Sequence, residues 1–207
     1  MRLNMRLRLL FVLLSLALAI PAVCQVTPHA ERQISPIAVG VGFSNYYTDW
    51  SRYESGPAVW LDWNFYNLPP VLNGLGVEIE GRDLNYHRTG DIPNLRESTI
   101  GGGVIYTFHQ IPISNFHFYG KYLIEYGRAD IASPALNLAP QTATNLVHAP
   151  GAGIEIRTWR DLWLRGEYEW QFWPQFPNVA PHTHALSPNG FTIGASYRLP
   201  IFRLRTR

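Results

Sequence analysis

Leu162-Trp163-Leu164-Arg165-Gly166-Glu167-Tyr168-Glu169-Trp170-Gln171-Phe172 is the stretch that decides how this chain is read. Leu162, Leu164, Gly166, Tyr168, Trp170 and Phe172 share one parity; Trp163, Arg165, Glu167, Glu169 and Gln171 share the other. A period of two belongs to a β-strand, whose successive side chains point to opposite faces. Every charge here lies on one face. A soluble sheet also alternates. Repeated over eight strands behind an export signal, the pattern implies an inside-out arrangement, with an apolar band facing lipid and a charged lumen.

The same alternation predicts eight strands, over 37–48, 57–66, 75–85, 98–109, 116–128, 146–157, 162–173 and 190–200. Most are longer than a typical globular strand and close to a tilted membrane-spanning one. An even number suits antiparallel closure, which removes edges that lipid cannot satisfy. The expected fold is all-β, an eight-stranded antiparallel up-and-down transmembrane β-barrel. Ile37, Val39, Val41 and Phe43 face outward on the first strand, and Phe116, Phe118, Tyr122, Ile124 and Tyr126 on the fifth. Twelve charges fall on inward positions: Asp62, Glu78, Glu80, Arg82, Lys121, Glu125, Glu155, Arg157, Arg165, Glu167, Glu169 and Arg198. Arg128, at a strand's far end, lies above the band. Seven acids against five bases predict a near-balanced, paired network. The inward glycines Gly40, Gly42, Gly101, Gly103, Gly151, Gly153 and Gly194 leave room for Trp60, Trp163 and the arginines.

The first segment reads as a signal peptide and is set aside from the fold. Arg2, Arg6 and Arg8 precede an apolar run from Leu9 to Ile20, then Pro21-Ala22-Val23-Cys24. The expected cut follows Cys24; lipidation of Cys24 is disfavoured by Val23 before it. Residues 25–36 read as a periplasmic leader and 37–207 as the barrel. The chain carries 17 Lys+Arg against 15 Asp+Glu, and three of those arginines lie in the signal. The remainder therefore has one acid in excess, so the basic balance is not a sign of nucleic-acid binding. Eleven Tyr, ten Phe and seven Trp suit a membrane–water boundary.

Connections are shorter at one rim, over 67–74, 110–115 and 158–161. They are longer at the other, over 86–97, 129–145 and 174–189, with 49–56 intermediate. Short periplasmic turns and long outer loops match a bacterial outer-membrane barrel.

These residues resemble the eight-stranded OmpA-like and OmpX-like outer-membrane barrels. The resemblance is architectural and spans 37–202. Its sharpest motif is the last strand, where Thr192, Gly194, Tyr197 and Leu199 fit the membrane-assembly signal of such proteins; the tail after Phe202 departs from it. The resemblance implies outer-membrane lipid and the barrel-assembly machinery as partners, with an extracellular partner of the loops unknown.

No cofactor and no catalytic residue are expected. His109 and His117 face each other if paired positions sum to 226, yet no further metal ligand can be placed, so the pair reads as a polar plug. His182 and His184 alternate in a Pro-rich loop and read as solvated. No His-x-Ser stretch of the lipid-modifying deacylases is present. Glu78/Glu80 and Glu167/Glu169, with Arg82 and Arg165 beside them, read as salt bridges. The leading expectation is a structural or surface-interaction barrel. The alternatives are a small porin-like channel, a lipid-modifying enzyme, and a soluble lipocalin-like binder, whose apolar interior is the reverse of this parity.

Overall fold

The computed structural model describes residues 33–34, 36–49, 52–65, 68–69, 71–86, 94–108, 115–133, 138–174, 185–199 and 204–205. They form β1 (Gln33–Ile34), β2 (Ile37–Thr48), β3 (Arg52–Asn64), β4 (Leu75–Tyr86) and β5 (Asn94–Phe108). β6 (Phe116–Ser133), β7 (Leu138–Trp159), β8 (Leu162–Trp170), β9 (Asn189–Arg198) and β10 (Leu204–Arg205) follow. β2 to β9 pair antiparallel in chain order, and β9 pairs with β2 to close a barrel. Closure satisfies the backbone of every barrel strand without offering an edge.

The two parities separate inside from outside. Ile193 is 72% exposed, Val41 62% and Ile100 61%, while Glu78, Glu125 and Glu169 are fully buried. In water this would invert the usual rule that oily groups are inside. Against hydrocarbon it is the favourable order.

Several strands run further than their apolar pattern predicts. β6 and β7 include most of 129–145, expected as loop, and pair up to Ile131↔Gln141 before a register shift. β3 begins at Arg52 and β5 at Asn94, inside segments read as connections. The alternation does not stop there; the outward side changes chemistry. Arg96, Arg128 and Asp130 point outward, and Glu97 and Ala129 inward. Beyond the apolar band the outward residues are polar instead of oily, so the contrast between the two faces that marks the strand in the sequence disappears. A second correction concerns the ends: Gln33–Ile34, read as leader, pairs with Leu204–Arg205, in the tail beyond the final-strand motif.

The rim where the barrel begins and ends (the terminal rim) carries the two-residue turn Arg160–Asp161, with Arg160 at φ 43°. The opposite rim carries the ends of the long β6–β7 hairpin and is called the loop rim. Trp60 lies across the barrel floor formed by Gly40, Gly42 and Gly194; a Cβ at any of the three would press into its ring. Trp163 is housed differently, stacked on His117 at 4.6 Å.

Candidate functional site

The interior is the most organised chemistry of the molecule. Even positions of β3 and β4 and odd positions of β6, β7 and β8 point inward, so strands far apart in sequence send charges to one axis. Lys121 of β6 sits at its centre. Its Nζ lies 3.0 Å from Glu78, 2.6 Å from Glu167 and 2.9 Å from Glu169, and it also contacts Glu80. Arg165 of β8 reaches Glu78 and Glu167, each at 2.6 Å, and Asp62 of β3 at 3.3 Å. Arg82 of β4 pairs with Glu169 at 2.7 Å and with Glu80. β3, β4, β6 and β8 are thus braced across the lumen.

Neutral groups complete the network. Tyr46 donates to Glu169 at 2.9 Å and Tyr119 to Glu167 at 2.7 Å; Tyr119 also accepts from Arg165 Nε at 2.6 Å. The Arg165 guanidinium lies over the rings of Trp60 and Tyr119, 4.8 and 4.6 Å from their centroids. Such satisfaction matters because a buried ion that loses its partner costs several kcal/mol, on the order of 3–5.

Two groups of carboxylates approach one another as metal ligands do, Glu78/Glu80/Glu167 and Glu80/Glu125/Glu169. Lys121 contacts all three of the first group and two of the second, and Arg82 also contacts those two. The protein's own cations take the places between them.

Toward the terminal rim Glu155 pairs with Arg198 at 3.2 Å, and Arg198 stacks over Trp163 at 4.0 Å. His117 Nδ1 lies 3.4 Å from Arg198. A guanidinium beside the imidazole opposes a metal cation there. Toward the loop rim Gln171 receives the Trp173 indole N–H at 3.1 Å. Above it Trp173, Val147, Leu95 and Ala129 pack into an apolar cluster, joined by Tyr86 and Leu186.

Ten of the twelve inward charges read from the sequence are buried, and Arg198 is partly buried beside Glu155. Arg157 is not part of the network. It is exposed at the terminal rim, and its Nε donates to the Arg160 carbonyl at 2.7 Å. Its parity is inward, but the strand has reached water at that height. Glu54 and Glu97 were missed. Both are buried and inward, and extending the phase of β3 by two pairs and that of β5 by one beyond the expected strands finds them. The expected near-balance fails, with Arg157 exposed, Arg198 only partly buried and these two acids added: nine acids are buried among the described residues, against Arg82, Lys121 and Arg165. His109, His182 and His184 lie outside the described residues, although the register Phe108↔Phe118 is the one expected for the turn beside His109.

The final-strand motif lies on the closing seam. Thr192 shares a hydrogen bond with Ser44 at 2.8 Å, Gly194 faces Trp60, Tyr197 points outward, and the Leu199 N–H donates to the Ile37 carbonyl at 3.0 Å.

A closed eight-stranded barrel of this fold is found in solved structures. Neisserial surface protein A matches with a TM-score of 0.57 at 11% identity, covering 79% of this chain and 96% of that one. The chain has the fold of the small eight-stranded outer-membrane barrels. Ail, the attachment invasion locus protein of Yersinia pestis, gives a TM-score of 0.54 at 14% identity over 80% of this chain and 99% of that one. The outer membrane protein OprG of Pseudomonas aeruginosa gives 0.53 at 12%, over 80% and 96%. No protein-family pattern matches the chain, and no curated protein is similar to it.

Proposed function

We propose that the protein is a bacterial outer-membrane barrel that serves as a rigid anchor for surface interaction and conducts little or nothing. The observation that carries this reading is the pairing of an apolar outer wall with an interior braced from β3 and β4 to β6 and β8. A lumen of this width is filled by side chains rather than water. Its partners in this reading are outer-membrane lipid and the barrel-assembly machinery, and no catalytic role is assigned.

The interaction surface in this reading is the part of β6 and β7 beyond the apolar band. There Arg128 binds Asp130 at 3.0 Å, and Thr142 donates to Asp130 at 2.5 Å, on an exposed two-stranded ribbon. Ail, an attachment protein by its name, carries the same fold. Expression in a Gram-negative host tests the proposal. Expected are recovery in the outer-membrane fraction, heat-modifiable migration on a gel, and no reproducible conductance steps in a planar bilayer. Stepwise conductance would replace the anchor with a channel, and recovery in the soluble fraction would end the membrane reading.

A further inference from the structure

A short strap at the loop rim shares one small cavity with two buried carboxyl groups. The strap is Leu186, Ser187 and Pro188, the approach to β9. Trp173 and Leu186 exchange backbone hydrogen bonds at 2.9 and 3.2 Å, and the Gln171 N–H donates to the Pro188 carbonyl at 2.8 Å. The Ser187 N–H donates to the Asp49 carboxylate at 2.5 Å. Leu186 also packs on the apolar cluster around Trp173. Leu186 and Pro188 line a cavity of about 10 Å³ together with Asp49, Glu54 and Glu97. That space holds one water molecule at most.

Glu54 on β3 is fully buried and Glu97 on β5 is 6% exposed. Among the described residues nothing donates a hydrogen bond to either carboxylate oxygen of Glu54 or to Oε1 of Glu97. The charged and titratable groups around them supply no counter-charge. Arg82 of β4 directs its terminal nitrogens to Glu80 and Glu169, and the Tyr46 hydroxyl of β2 donates to Glu169. Asp49 after β2, and Glu125 of β6 deeper in the lumen, are acids themselves. From β5, β6 and β7 the neighbours are the apolar Leu95, Ala129 and Val147. An ionised carboxylate is strongly disfavoured in such a place, whereas a neutral carboxyl group carries its own donor and is tolerated.

We propose that Glu54 and Glu97 form a proton-operated latch: neutral, they let the strap close the mouth, and ionised, they release it. Loss of their protons to solvent leaves two negative charges near the Asp49 carboxylate that holds Ser187. Like-charge repulsion and the demand of the new charges for water both favour a lifted strap. Both glutamates stand above the apolar band, Glu97 between the outward polar residues Arg96 and Ser98. Burial pushes the Glu54 carboxyl up to about 7, and burial with the neighbouring Glu54 pushes the Glu97 carboxyl above its ordinary range. The closed mouth therefore holds protons that the open one gives up. Closure is full in acid and is lost as pH rises through about 7.

The test uses the full barrel in lipid vesicles, with Cys24 replaced and a single spin label at position 187, since Ser187 binds Asp49 through its backbone. Label mobility and access to a water-soluble nickel complex are followed from about pH 5 to about pH 9. The label should be fixed and shielded in acid and become mobile and accessible in one reversible transition centred at or above about 7. Glu54→Gln/Glu97→Gln, neutral at every pH, should abolish the transition and keep the label shielded. Glu97→Gln alone, a milder change, should reduce it. A label at Ile193 in the outer wall should not respond. A Ser187 label indifferent to pH, an undiminished response in either variant, or a response shared with Ile193 would each overturn the proposal.

Discussion

Lys121 is the residue on which most of the interior converges, since four carboxylates contact it and its side chain is fully buried. Lys121→Met keeps the length and removes the charge, so the carboxylates are left to repel one another. The expected loss is about 3–5 kcal/mol of unfolding free energy, measured by urea titration in lipid vesicles. Glycine substitutions separate packing from propensity. A Cβ at Gly40 enters the Trp60 ring, whereas one at Gly120 meets only the Gly151 carbonyl at 3.9 Å. Gly40→Ala should therefore cost roughly 1–3 kcal/mol and Gly120→Ala stay within about 0.5 kcal/mol in the same assay. The parity of Lys121, Arg165 and Glu167 was legible in the sequence because each stands between an oily residue and a glycine, within stretches whose other parity carries no charge. Which acid pairs with which base was not, because that depends on how far the strands are staggered around the barrel. Arg157 shows the other limit: parity gives the side of the wall and not the height, and at its height the side chain is wet.

At the scale of elements, the strands were legible where their outward residues are oily and illegible where they are not. β2 ends where the pattern ends, at Thr48, whereas β6 and β7 continue well past theirs. Their upper parts lie beside a ladder of exposed charges, in which Arg96 pairs with Asp83 at 2.7 Å and Arg128 with Asp130. The hydrogen bond from Arg96 holds the Asp83 carboxyl below the usual range, with Ser98 adding to it and partial burial opposing. A carboxyl lowered on folding contributes above its unfolded value, and that contribution is lost as pH falls through its folded one. An NMR titration should find Asp83 ionising below an unpaired aspartate, and Arg96→Gln should return it toward the ordinary value. Replacing residues 131–141 with Asn-Gly shortens the ribbon without touching the apolar band. Heat-modifiable folding should persist in that variant, and surface binding should be lost from it.

For the whole molecule the account depends on which side of the wall meets lipid. Leu164→Arg and Ile193→Arg place a charge among outward residues 48% and 72% exposed, where mid-membrane burial costs about 2–4 kcal/mol. Both should reduce insertion into vesicles far more than the inward change Thr192→Ser. Closure and inversion were readable from the strand count and parity, while the acid excess of the interior was not, since Arg157 and Arg198 stand too near the rim to be fully buried and Glu54 and Glu97 lie outside the expected strands. A spin-label scan of β9 from Gly190 to Tyr197, one cysteine at a time with Cys24 replaced, tests the inversion most directly. Labels at Phe191, Ile193, Ala195 and Tyr197 should be accessible to oxygen dissolved in the bilayer and shielded from a water-soluble nickel complex, with Gly190, Thr192, Gly194 and Ser196 out of phase. Outward labels quenched by the nickel complex and shielded from oxygen would contradict it.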